Sequence, residues 1–126
     1  MPAGKYSFVI EQGATTTFEV QYKDSTNAPV DLSGYGARLQ IRPSAESNTI
    51  LLSLSSSLQS DGTGLNMSGS SGTVSPISGS IGIYISAYSS SLLSFNEAVY
   101  DLEIHSGSFV SRILQGNVKL SKEVTR

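Results

Sequence analysis

The sequence predicts an all-β domain, an antiparallel β-sandwich of seven to eight strands with one short helical turn. Three observations carry the prediction. Apolar residues recur at every second position in stretch after stretch. The intervals between those stretches are filled with turn formers. The polar positions hold serine, threonine and glycine more often than the long charged side chains that helical surfaces favour. With 126 residues the chain fits one domain, 1–126, long enough to bury a core without disulfides or a metal.

The strands follow in order. Tyr6, Phe8 and Ile10 share one parity, and Glu11-Gln12-Gly13 then turns the chain. Phe18, Val20 and Tyr22 alternate with Glu19, Gln21 and Lys23, and a polar loop over residues 23–30 contains Pro29. Asp31-Leu32-Ser33-Gly34 leads into Ala37, Leu39 and Ile41, which alternate with Arg38, Gln40 and Arg42 until residues 43–48 close the run. A period of two places each apolar set on one face of a pleated strand, with the polar set towards water. Residues 50–54 read as a short strand and residues 65–67 as another, at an edge. The Ser/Gly-rich stretch over residues 53–80 keeps apolar anchors at Leu54, Leu58, Leu65, Met67, Val74 and Ile77. A disordered linker and a meander of short edge strands both fit that composition, and the recurring anchors favour the meander.

Ile81, Ile83 and Ile85 resume the alternation. Residues 86–94 break it: Ser86 is placed to cap one or two helical turns, with Ala87 and the Leu92–Leu93 pair facing inward. Tyr100, Leu102 and Ile104 form the next strand, Ser106-Gly107 a hairpin tip. Val110, Arg112, Leu114, Gly116, Val118 and Leu120 share a parity in the last strand, where the interior Gly116 signals a bulge or a close backbone approach. The expected core is Phe18, Val20, Leu39, Ile41, Ile81, Ile83, Tyr100, Leu102, Leu114 and Val118. A tyrosine opening the next-to-last strand fits the tyrosine corner of immunoglobulin-like sandwiches, whose hydroxyl bonds back to upstream backbone, and equally an ordinary core tyrosine.

Chemistry is sparse. Without cysteine there is no thiolate metal site and no disulfide. The single histidine, His105, lies on the polar parity of its strand, and no nucleophile elbow or phosphate-binding glycine loop is present, so no catalytic or cofactor-binding residues are expected and the chain is read as a non-enzyme. Asp24, Asn27 and Asp31 gather oxygen donors of the kind calcium takes, as does the stretch Asp61-Gly62-Thr63-Gly64. Neither has EF-hand spacing, and these residues are ordinary turn formers; no metal is expected. A net charge of −2 with 14% charged residues builds no basic stripe for nucleic acid. No apolar run approaches a membrane span, and the first residues lack the apolar core of a signal peptide. What remains is recognition. Tyr35, Tyr84 and Tyr88 are of a type enriched at interfaces. The strands over residues 6–10 and 109–120 are expected to be outer strands, with an edge open to β-augmentation. The candidate interface is therefore Tyr6, Phe8, Ile10, Tyr84, Phe109, Arg112, Leu114 and Val118.

Three stretches together carry a resemblance. They are Phe8-Val9-Ile10-Glu11-Gln12-Gly13-Ala14-Thr15; Pro29-Val30-Asp31-Leu32-Ser33-Gly34-Tyr35-Gly36-Ala37-Arg38-Leu39-Gln40-Ile41-Arg42; and Tyr100-Asp101-Leu102-Glu103-Ile104 with Arg112-Ile113-Leu114-Gln115-Gly116-Asn117-Val118 and Glu123-Val124-Thr125-Arg126. This layout resembles small virion structural proteins of tailed bacteriophages and the N-terminal domain of phage baseplate upper proteins. The resemblance covers nearly the whole chain apart from the Ser/Gly-rich middle. It implies an immunoglobulin-like module of the tail, baseplate or fibre attachment that docks onto other phage virion proteins. The module would be made in the host cytoplasm and present in the virion in multiple copies or as a homo-oligomer. Two other readings are a capsid decoration or cement protein and a carbohydrate-binding β-sandwich; the absence of tryptophan weighs against the second.

Overall fold

The computed structural model describes residues 4–69 and 78–125. The expected anchors Val74 and Ile77 lie outside the described residues. Among the described residues nine strands and one helix follow the chain: β1 (Gly4–Lys5), β2 (Phe8–Glu11), β3 (Thr16–Gln21), β4 (Gly36–Arg42), β5 (Leu52–Ser55), β6 (Gly64–Asn66), β7 (Ser80–Ile85), α1 (Ala87–Ser91), β8 (Glu97–Ser106) and β9 (Phe109–Ser121). They form two sheets. The larger runs β1-β9-β8-β4-β5 with β2 also on β9, and the smaller runs β3-β7-β6.

The strand count exceeds the expected seven to eight because the first run is split. Backbone hydrogen bonding to β9 is carried across the gap by the Tyr6 N–H, which donates to the Gln115 carbonyl at 2.9 Å. Both halves pair with β9 in parallel, Gly4 opposite Leu114 and Phe8 opposite Val118, whereas every other strand pair among the described residues is antiparallel.

The inner faces meet in one core. Ile10, Leu39, Ile41, Leu54, Leu102, Ile104 and Val118 of the larger sheet pack with Leu65, Ile81, Ile83 and Ile85 of the smaller, all fully buried. Of the expected core, Phe18, Val20 and Leu114 are only partly buried at its rim. An aromatic chain joins the sheets there: Phe8 lies 4.9 Å from Tyr100 and 4.8 Å from Phe18, ring centre to ring centre. The edge position expected of residues 65–67 holds, since β6 borders the smaller sheet.

The turns explain the quoted motifs. Gly13 adopts a positive φ of 83°, and its N–H donates to Ser90 Oγ. The Gln12 amide donates to the Leu93 carbonyl at 2.7 Å and accepts from the Glu123 N–H at 2.9 Å. One side chain thus ties the β2–β3 turn to the end of α1 and to the segment after β9. In the second motif Asp31 accepts from the Ser33 N–H, Leu32 plugs the core, and Gly34 supplies a φ of 80°.

Helix α1 forms where Ser86 predicts it: the Ser86 hydroxyl accepts from the Ser89 N–H. Leu93 is buried but Leu92 points to solvent, 67% exposed, so only one leucine of the expected inward pair faces the core. The hydroxyl of Ser90 takes the other inward place, donating to the Ala14 carbonyl.

Candidate functional site

The residues expected at an interface are scattered. Phe8, Ile10 and Val118 are buried in the core, and Leu114 is packed against it; period-two alternation identifies such residues but not which sheet face is covered. The expectation that β9 offers an edge is corrected too. From Leu114 onward it is flanked by β8 on one side and by β1 and β2 on the other, so the outer strand is residues 4–11. Tyr6, Tyr84, Phe109 and Arg112 do reach the surface, in different places. Tyr6 lies at the rim, its ring 5.5 Å from Phe18. Tyr84 is on the outer face of the smaller sheet, above Gly62. Phe109 is 54% exposed at the tip of the β8–β9 hairpin, with the Tyr35 ring against it at 6.2 Å. Arg112 is on the outer face of the larger sheet.

A β-bulge puts Arg112 there. Leu102 faces Leu114 but Glu103 faces Arg112, so Ile113 is an extra residue in β9. The bulge reverses the parity of the strand. Leu114, Val118 and Leu120 turn inward, while Val110 and Arg112 turn out, which a single alternation over residues 110–120 does not foresee.

The outer face is a set of cross-strand rows. Arg38, Glu103 and Arg112 form one; Gln40, Asp101, Gln115 and Lys5 the next; Arg42, Val99 and Asn117 the third. Together they floor an open groove of about 900 Å³, walled by Lys5 and Ser7 on one side and by Ala45 on the other. Arg38 Nε donates to Glu103 Oε1 at 2.8 Å, and Arg112 stands 3.4 Å from Asp101. Arg42 donates to neutral acceptors, the Ser47 carbonyl at 2.7 Å and Gln40 Oε1 at 2.8 Å. Partial burial, and secondarily the neighbouring Glu103, raise the Asp101 carboxyl above its ordinary range, against the pull of Arg112, Arg42 and Arg38. The alternating Arg-Gln-Arg of residues 38–42 and the Asp and Glu of residues 101–103 mark this face in the sequence, but only strand pairing shows that they meet.

Tyr100 forms the floor below. Its hydroxyl donates to the Tyr6 carbonyl at 2.6 Å, and burial, together with Tyr6, pushes the phenol's pKa well up. The bond does run to upstream backbone, but across strands to a residue 94 positions earlier, not around a corner.

The remaining polar cluster lies beside α1, at the opposite end from His105. Asp61 accepts from Ser86 Oγ at 2.6 Å and from the Thr63 N–H, and Thr63 Oγ1 accepts from the Ser86 N–H. These bonds hold the Asp61 carboxyl below its usual range, the Ser86 hydroxyl contributing most. His105 instead lies over Gly36, where a Cβ would meet its ring. Asp24 is enclosed by Thr26 and Ala28 donors, and Asn27 takes a φ of 67°, as a tight turn requires. Among the described residues no three His, Cys, Asp or Glu gather closely enough to hold a metal ion, and no helix is long and apolar enough to cross a membrane.

No family model matches this sequence. A search of curated proteins returns no match. Solved structures do match, among them a chicken T-cell receptor structure with a TM-score of 0.52 at 12% identity. The fold is immunoglobulin-like. The superposition takes in 94% of this chain and 54% of the receptor chain, so this chain spans about half of that neighbour's length. At such identity the likeness concerns the architecture alone. In that frame the groove on the outer face of the larger sheet is built mainly of polar side chains that the core does not need.

Proposed function

We propose that this chain is a structural component of a tailed-phage virion, in the tail, baseplate or fibre attachment, that works by docking onto other virion proteins and has no turnover of its own. The observation that carries the reading is where apolar side chains stay exposed. Tyr88 on α1 and Leu92 at its C-cap, 71% and 67% exposed, stand at one end of the sandwich; Phe109 and Val110 stand at the hairpin tip at the other. The ten residues of β8 span the distance between them, roughly 33 Å. A subunit with apolar contacts at both ends and a polar groove along one flank fits a place among neighbours in an assembly. The polar hydroxyl cluster at Asp61 is spent on capping and turn bonds, which accords with a non-catalytic role. Mass spectrometry of purified particles separated into heads and tails tests the reading. The chain is expected in the tail fraction. Recovery with heads alone makes it a decoration or cement protein, and absence from mature particles overturns the proposal.

A further inference from the structure

The outer face of the larger sheet has a charge opposite to that of the chain around it. Lys5, Arg38, Arg42 and Arg112 against Asp101 and Glu103 sum to +2, while the whole chain is −2, leaving −4 for everything else. Inside the groove the charges are unevenly matched. Glu103 is taken up by Arg38, and Asp101 is covered by Arg112 with Arg38 and Arg42 in electrostatic range. Arg42 hydrogen-bonds only neutral acceptors, and Lys5 is exposed with no ion pair among the described residues. These two cations stand on opposite sides of the groove. Three strand spacings across the sheet, one each for β4–β8, β8–β9 and β9–β1, and two residues along it separate them, which is roughly 16 Å.

We infer that this groove binds an extended acidic segment of a partner protein, with carboxylates about four residues apart seated on Arg42 and Lys5. An extended peptide advances roughly 3.3 Å per residue, so side chains at i and i+4 are about 13 Å apart on the same face, and the long Arg42 and Lys5 side chains cover the rest of the span. Gln40 and Gln115, whose amide oxygens accept from Arg42 and Arg112, keep amide N–H groups for peptide carbonyls, and Asn117 offers both a donor and an acceptor. A nucleic-acid strand fits less well, because Asp101 and Glu103 interrupt the cationic track that a phosphate backbone follows. An acidic glycan fits less well too, because no aromatic ring is laid open on this face; the Tyr100 ring turns into the core and its hydroxyl is engaged. The inference rests on the docking role proposed above and names its partner chemistry.

Fluorescence anisotropy with a labelled eight-residue Ser-Glu alternating peptide tests it on the full chain, with the Ser-Lys counterpart and an oligogalacturonate as comparators. The acidic peptide is expected to bind saturably, more weakly as salt rises, and to shift the backbone amide signals of Val99 and Asn117. The double variant R42Q/K5Q is expected to weaken it about tenfold; because half-buried Arg42 also holds the Ser47 carbonyl, the exposed-site variant K5Q alone, expected to weaken it about threefold at an unchanged melting temperature, separates loss of charge from loss of that contact. Equal binding of the basic peptide, preference for the oligogalacturonate, indifference to R42Q/K5Q, or no saturation overturns the inference. Binding by a chain that proves absent from virions removes the virion reading and leaves the groove assignment intact. A chain found in the particle that ignores the peptide does the reverse.

Discussion

Gly116 lies where β9 passes the carbonyl of Tyr6, and a Cβ at this position would run into that carbonyl. The glycine lets the strand over residues 4–11 approach closely enough for the Tyr100 hydroxyl to reach the same oxygen. Gly116→Ala is therefore expected to lower stability by about 1–3 kcal/mol through forced displacement. Tyr100→Phe should cost about 1 kcal/mol through the lost hydrogen bond, both read from urea midpoints. A close backbone approach at Gly116 was legible in the sequence; its partner was not, because an acceptor more than a hundred residues earlier leaves no local signal. Asp101 gives a second prediction at this scale. Its carboxyl is raised above 3.8 chiefly by burial, so its charged form costs the fold stability above that raised value, and the cost disappears as pH falls through it. Asp101→Asn should therefore melt at the same temperature or higher at pH 7, by about 1–3 °C since the side chain is partly solvated. The advantage should vanish near pH 3 in melting curves recorded at both pH values.

Helix α1 shows what a single cap secures. The Ser86 hydroxyl both accepts from the first turn and donates to Asp61. Ser86→Ala is expected to cost about 1 kcal/mol for the cap. The Asp61 contribution has its own pH signature. Its carboxyl is lowered, so the stabilisation is complete above the ordinary value of 3.8 and is lost as pH falls through the lower folded value. The deficit of the variant should accordingly be larger at pH 7 than at pH 2 when denaturant unfolding is compared. The helix was legible because Ser86 interrupts an alternating run and is followed by small and apolar residues. The inward place of Ser90 was not, because a buried serine is chosen by the carbonyl and N–H it meets, here those of Ala14 and Gly13. The bulge at Ile113 escaped for a similar reason: its neighbours Arg112 and Leu114 look like one alternating set until β8 supplies the register.

The fold class was legible at the scale of the molecule because strands, turns and the helix each carry local chemistry. Which strands become neighbours is decided by packing between sheets, and that is where the groove and the parallel first strand come from. Three guanidinium groups and two carboxylates from β4, β8 and β9 share one face only after the larger sheet is assembled. The parallel pairing of residues 4–11 with residues 114–121 also governs how the chain reaches this state. Contacts separated by about 110 positions form late, since the loop they close is costly until the intervening strands are in place. During synthesis the strand over residues 4–11 leaves the ribosome about 110 residues before its partner β9 and must wait for it. In the interval Phe8 and Ile10 have no sheet to join, so the nascent chain carries an apolar strand that is sheltered only when synthesis of the final sheet partner is complete.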